Sequence, residues 1–233
     1  MKKIAILSGA GMSAESGIRT FRDADGLWEQ HDVMEVASID GWRRNPELVL
    51  QFYNQRRRQL QEVEPNAGHI ALKRLESAYD VHIVTQNVDD LHERAGSSNI
   101  LHLHGELRKV RSVGQPTLVY EWLEDLQWGD LCESGHQLRP HIVWFGEMVP
   151  LMDKAVEILT NADIVIIIGT SMQVYPAAGL IAYARPNASI YYIDPQPSIN
   201  YELSDRRHLE VISDRAAAAV PALVDRLLTE SGQ

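Results

Sequence analysis

Five short apolar runs recur along the chain: KIAIL at 3–7, VHIVT at 81–85, DIVIIIG at 163–169, SIYYID at 189–194 and LEVIS at 209–213. They are nearly continuous rather than alternating, rich in Ile and Val, and too short for helices. Such runs suit strands covered on both faces, as in a parallel sheet. Helical patterns lie between them, over about 45–62, 66–78, 151–161, 176–184 and 215–229. The alternation predicts an α/β fold with a doubly wound, Rossmann-like parallel sheet. Residues 106–145 break it with short β-like pieces and turns, and 18–62 is a polar loop leading into a helix. Both are excursions that build a second, small lobe. The core then takes about residues 1–17, 63–105 and 146–233, and the lobe about 18–62 and 106–145.

The helix beginning at Asn45-Pro46 contains FYNQRRRQL. Asn can cap a helix and Pro suits its first turn. At about 100° per residue, Val49, Phe52, Tyr53 and Leu60 share a stripe with Arg56 in its middle, Arg57 at its edge and Arg58 pointing away. A charge on an apolar face must be paired. Arg56 either snorkels or pairs within its own chain, or it lines a pocket with Tyr53 and awaits an anionic ligand.

Composition narrows the partners. The 233 residues carry a net charge of −10, which argues against nonspecific attraction to nucleic acid or an anionic membrane. No run approaches a membrane span, and the N-terminus lacks a signal-peptide pattern, so a soluble cytoplasmic protein is expected, most simply a monomer. One cysteine, Cys132, excludes an internal disulfide and a multi-cysteine zinc site.

In open α/β sheets, ligands bind beyond the carboxyl ends of the strands. The predicted strands are followed by Ser8-Gly9-Ala10-Gly11, by Gln86, Asn87 and Asp89, by Gly169, Thr170 and Ser171, and by Asp194. Four such ends suggest a nucleotide-sized ligand spread across the sheet. Gly9 and Gly11 begin a predicted helix and allow a pyrophosphate to approach, although Ala14 stands where the usual dinucleotide pattern has a third glycine. Arg19 and Arg22 either reach phosphate or decorate a solvated loop. His102 and His104, two apart in a strand, would share a face. A metal site with His141 or His136 is set aside because no acidic cluster accompanies them. A single imidazole near a ribose would serve as a general base.

GAGMSAESGIRTFRDADGLW, TQNVDDLHERAG, HLHGEL, PHIVWFGE and GTSMQVYPAAGL, in this order, resemble the sirtuins, NAD-dependent protein deacylases, over about residues 3–228. The chain looks most similar to bacterial members that prefer acidic acyl groups. The resemblance implies a single catalytic domain over 1–233, with NAD as cosubstrate and acylated-lysine proteins or peptides as partners. Gly9, Ala10, Gly11, Ser13, Ala14, Glu15, Thr20, Phe21, Arg22 and Trp28 would lie in the pyrophosphate loop and cofactor loop. Gln86, Asn87, Val88 and Asp89 would hold nicotinamide and its ribose, with Asn87 and His104 catalytic and His104 the base. Gly169, Thr170, Ser171, Asp194, Pro195, Gln196 and Ala216 would take the adenosine side. His141 to Phe145 would pair with the substrate peptide, so Val143, Trp144, Phe145 and Gly146 join the substrate site. Tyr53 and Arg56 match a pair that holds succinyl- or malonyl-lysine, with Ala37 widening the pocket. Acetyl-lysine would still be accepted.

The family's usual four zinc cysteines are missing: RSVGQP and LCESGH stand in their places. A lobe without zinc either rests on its own apolar core, drawn from Leu118, Tyr120, Trp122, Leu126, Trp128 and Leu131, or is disordered or belongs to an inactive relative; the large apolar residues and the intact catalytic set favour the first. Three other classes stay open: a Rossmann dehydrogenase, against which the missing third glycine and the setting of His104 argue, a noncatalytic NAD- or ADP-ribose-binding module, and a protein ADP-ribosyltransferase.

Overall fold

A computed structural model describes residues 1–18, 27–28 and 31–232, with 27–28 as backbone alone. The strands are β1 (Lys3–Ser8), β2 (Leu27–Trp28), β3 (His31–Asp32), β4 (Asp80–Thr85), β5 (Ile100–His102), β6 (Gly105–Ser112), β7 (Val119–Glu121), β8 (Leu138–Ile142), β9 (Ile164–Ile168), β10 (Ser189–Ile193) and β11 (Leu209–Ile212). The helices are α1 (Val33–Val36), α2 (Ile39–Arg44), α3 (Pro46–Glu62), α4 (Ala67–Leu75), α5 (Leu91–Arg94), α6 (Met152–Asn161), α7 (Tyr201–Ser204) and α8 (Ala216–Ser231). Among the described residues, no helix is long and apolar enough to cross a membrane.

Six strands form a parallel sheet in the order β11-β10-β9-β1-β4-β5. The chain builds outward from β1 through β4 to β5, then returns to the other side of β1 at β9. Ile4 and Ile6 of β1 pack with Ile83 and Ile166 beneath α4 and α8, while Ala5 and Leu7 pack with Val84, Val165 and Ile167 against α6 and the 3₁₀ segment Ala177–Tyr183. Both faces are covered, which is why the strands are continuous apolar runs. The doubly wound architecture expected from the pattern is present.

The helix expected after β1 is instead two 3₁₀ turns, Ala10–Met12 and Ala14–Ser16, the second ended by Gly17 at φ 99°. The reason is the close approach of the loop to β9: a Cβ on Gly11 would lie 2.6 Å from Gly169 Cα, and one on Gly9 would lie 2.8 Å from the Gly169 carbonyl oxygen. Gly9 and Gly11 donate their N–H groups to Ile168 O and Gly169 O. Both glycines are thus required by chain-to-chain packing, before any ligand is considered.

A separate antiparallel sheet, β7-β6-β8, packs with α1–α3 around a third apolar cluster that includes Val36, Trp42, Val49, Phe52, Leu107, Leu126 and Trp144. Asn45 caps α3 by accepting from the Leu48 N–H. Along α3 the arginines sort differently from the helical-wheel expectation. Arg57, expected at the edge, is only 1% exposed, against 8% for Arg56. The lobe wraps α3 there: Arg57 Nε donates to Leu107 O at 3.1 Å and Nη1 to Asn54 Oδ1 at 2.7 Å. Asn54 also bonds both the N–H and the carbonyl of Leu126. Burial lowers the Arg57 pKa to about 10. Arg58 is exposed and pairs with Asp125.

The expected apolar core of the lobe is partly corrected. Leu126 is fully buried, and Leu118, Tyr120 and Trp122 pack against the cluster, but Trp128 is 58% and Leu131 55% exposed. Cys132 is buried, its thiol donating to the Ser112 hydroxyl at 3.3 Å. Among the described residues no group of three or more His, Cys, Asp or Glu could hold a metal ion.

Candidate active site

The carboxyl ends of β1, β4, β9 and β10 open on one crevice, where the strand order reverses beside β1. Ser8 O, at the end of β1, accepts from the Gln86 N–H. The Gln86 amide donates to Thr170 Oγ1 at 3.2 Å, so the ends of β4 and β9 are bridged across β1. Asn87 is buried and donates to Gly9 O at 3.0 Å and to Ser13 Oγ at 3.1 Å. Ser13 Oγ donates in turn to Asp89 Oδ2 at 2.9 Å. Burial pushes the Asp89 carboxyl above the usual carboxylate range, against the hydrogen bonds from Ser13 and the Leu91 N–H. Gly9, Ser13, Asn87 and Asp89 therefore form one rigid cluster beneath the crevice. Val88 contributes backbone, its carbonyl accepting from the Leu107 N–H.

The two histidines part company. His102 ends β5, and His104 lies in the turn that follows, so the shared-face expectation does not hold. His102 Nδ1 lies 3.1 Å from Asn87 O and Nε2 lies 2.7 Å from Glu93 Oε1. Burial works against its charge, but the Glu93 carboxylate prevails and the pKa is raised. With each ring nitrogen facing an oxygen acceptor, His102 braces Asn87 against Glu93. His104 is half-buried, its pKa lowered by burial against a hydrogen bond to Gln86 O at 3.1 Å from Nδ1. A carbonyl can only accept, so Nδ1 carries the proton and Nε2 keeps the lone pair. A neutral imidazole with one nitrogen pinned is suited to taking a proton. The His104 carbonyl also accepts from the Val143 N–H at 2.8 Å, tying His104 to the segment expected to pair with peptide.

Among the residues expected to take adenosine, Gly169 adopts φ 61°, and Thr170 is buried with its carbonyl held by the Tyr192 hydroxyl. Ser171 is partly buried beside it. Asp194 is buried, and its carboxylate accepts from the Gln196 N–H, while Pro195 and Gln196 are exposed. Ala216 begins α8, where the Ala217 N–H donates to Glu15 at 2.7 Å. Glu15 thus acts here as an acceptor for an otherwise orphan helix N-terminal donor. Ala10 and Ala14 lie in the 3₁₀ turns. Thr20, Phe21 and Arg22 lie outside the described residues, and Trp28 is placed as backbone in β2.

Tyr53 and Arg56 lie one turn apart on α3. Tyr53 is fully buried and accepts from Trp144 Nε1 at 2.9 Å. Burial raises its pKa strongly. The Arg56 guanidinium lies 4.7 Å from the Phe52 ring centroid. Ala37 closes α1 within the same cluster. The segment expected to add a substrate strand is partly used already. Phe145 N–H donates to Ala37 O and Phe145 O accepts from the Ile39 N–H, a parallel bridge that occupies both groups. Gly146, exposed at φ 88°, follows it.

Sequence reasoning passed over three features. The Glu93–His102 pair needs α5, which the helical pattern did not show. Arg139 and Glu147 flank the predicted peptide segment, and Arg139 Nη1 and Nη2 grip Glu147 at 2.7 and 2.9 Å. The charged flanks of PHIVWFGE were the available signal. His69 and His92 stack edge-to-face at 4.9 Å, deeply buried, with His92 Nε2 3.0 Å from the Ser8 hydroxyl. Burial lowers the His69 pKa to about 4 and depresses His92 as well.

A family model described as the Sir2 family matches residues 9–176. A Helicobacter pylori protein named NAD-dependent protein deacylase is 60% identical over 98% of this chain and 98% of its own. A Sir2 homologue solved with ADP-ribose superposes with a TM-score of 0.89 at 36% identity, covering 99% of this chain and 94% of that one. A Sir2 homologue solved with NAD gives 0.88 at 36% identity, with 99% and 91% covered.

Proposed function

Because the chain belongs to the Sir2 family, we propose that it is an NAD-dependent protein-lysine deacylase that removes succinyl, malonyl and acetyl groups. The single observation that carries this reading is His104, pinned through Nδ1 to the Gln86 carbonyl beside the Asn87–Ser13–Asp89 cluster. The crevice suits a dinucleotide, since small or polar groups end the four strands that open on it. NAD supplies a leaving nicotinamide and a ribose that accepts the acyl group, giving nicotinamide and O-acyl-ADP-ribose. Gln86, Asn87, Val88 and Asp89 orient the nicotinamide end. Asn87, fixed by Gly9 and Ser13, is positioned before the reaction begins. His104 Nε2 takes the proton of a ribose hydroxyl.

Gly9, Ala10, Gly11, Ser13, Ala14 and Glu15, with Thr20, Phe21, Arg22 and Trp28, hold the diphosphate side. Gly169, Thr170, Ser171, Asp194, Pro195, Gln196 and Ala216 hold adenosine. The acyl-lysine enters between Ala37, Tyr53 and Arg56 on one side and Val143 to Gly146 on the other. Arg56 and Tyr53 receive the acyl carboxylate, and a charge-assisted pair of this kind contributes about 1.5–3 kcal/mol. The protein works as a cytoplasmic monomer on acylated proteins, with no zinc.

Two measurements on one lysine peptide test the reading. His104→Ala is expected to lower NAD-dependent release of every acyl group by about 10²–10⁴-fold while NAD binding persists. Full turnover in that variant removes His104 from the role. Arg56→Met is expected to reduce the succinyl-to-acetyl ratio of kcat/KM about tenfold or more. A ratio that does not move makes Arg56 structural.

A further inference from the structure

Behind Tyr53 lies a chain of contacts that leads away from the pocket. Arg139 is buried, with its guanidinium carbon 3.5 Å from the centroid of the Trp144 ring. It grips Glu147 through both nitrogens and donates from Nη2 to Ile142 O at 3.0 Å. Glu147 Oε2 accepts from the Trp144 N–H at 2.9 Å, and Arg111 adds a second guanidinium at 3.1 Å from Oε1. Trp144 is thus held at its backbone by Glu147 and on its ring face by Arg139, with Trp42 5.5 Å away. Its remaining polar atom, Nε1, donates to Tyr53 Oη at 2.9 Å.

We propose that Arg139 and Glu147 are positioning residues for acyl selection: they clamp the Trp144 indole, and the indole N–H sets where the Tyr53 hydroxyl stands, one helical turn from Arg56. The inference rests on the acidic-acyl reading above. Stability alone does not account for the arrangement, since a buried ion pair is often no better than apolar residues of the same volume. What the pair supplies is direction. An indole N–H can only donate, so Tyr53 accepts there and turns its own proton to another acceptor. A phenol so oriented suits an acyl carboxylate, and an acetyl methyl gains nothing from it. Loosening the clamp therefore penalises the acidic acyl group selectively.

The test compares succinyl- and acetyl-lysine versions of one peptide across wild type, Glu147→Gln, Arg139→Met, Tyr53→Phe and Arg56→Met. Glu147→Gln and Arg139→Met are each expected to lower the succinyl-to-acetyl ratio of kcat/KM about three- to tenfold, the range of one lost hydrogen bond. The loss should fall on KM for the succinyl peptide, and neither change should lower the ratio further in a Tyr53→Phe background. Equal losses on both peptides make the pair a brace of the loop and overturn the inference. So does an unchanged ratio when Tyr53→Phe and Arg56→Met collapse it, and in that case the acidic-acyl reading stands by itself. A wild type that treats the two peptides alike ends that reading, and the inference with it. If Arg139→Met does not fold, Arg139→Lys, which keeps the charge without the planar fork, and Glu147→Gln give the same readout.

Discussion

In the six-stranded sheet the strands bury apolar side chains on both faces, and the polar groups that could do chemistry stand at the carboxyl ends. In the small lobe, charged and amide side chains run through the interior: Asn54 and Arg57 join α3 to Leu107 and Leu126, and Arg139 joins Glu147 to Trp144. The sheet is held by non-directional burial, so small changes in its core are absorbed. The lobe is held by directional bonds in which each member satisfies another, so the loss of one strands its partners. The first arrangement gathers polar groups at the strand ends, and the second fixes the directions of side chains inside the lobe.

The largest stability effect should come from cutting the lobe's network. Asn54→Ala leaves the Leu126 N–H and carbonyl and one Arg57 nitrogen without a partner, and is expected to cost about 2–4 kcal/mol in urea unfolding. A loss below that range would mean that the lobe relaxes as the sheet does. An intermediate effect is expected from pH. With a folded pKa of about 4 for His69 against about 6.5 unfolded, the unfolded chain holds the extra proton between those values. Stability therefore falls as pH drops from about 6.5 to about 4, by on the order of 2–3 kcal/mol, and His69→Gln should flatten the slope. His92, also depressed, adds in the same sense, whereas His102, raised by Glu93, opposes it. The smallest effect belongs to the sheet. Ile166→Val, at a fully buried position of β9, should cost about 0.5–1.5 kcal/mol and leave turnover unchanged, since no polar partner is lost.

The same contrast explains what the chain order of residues revealed. The long strands of the sheet were legible because continuous Ile/Val runs have few other uses, and α3 because Asn45 and Pro46 announce it. β5 was not, since only three residues, Ile100 to His102, pair, too short a run to stand out. Arg57 was placed at a helix edge because a wheel sees one neighbour, and α3 has the lobe against a second side. His102 and His104 looked like a strand pair because the strand's end at His102 is decided by pairing with Thr85, a partner far along the chain.

What the sequence determined by itself is the alternation of buried strands and helices, the small polar groups at the strand ends, the glycines and the single cysteine. These follow from local periodicity and residue chemistry, which act over a few neighbours. The tertiary structure decided which histidine has its pKa lowered and which has it raised, which arginine is deepest, and that Trp144 reaches Tyr53. Those outcomes depend on burial and on hydrogen-bond partners up to 91 positions apart, and only the packed chain brings such groups within reach of one another.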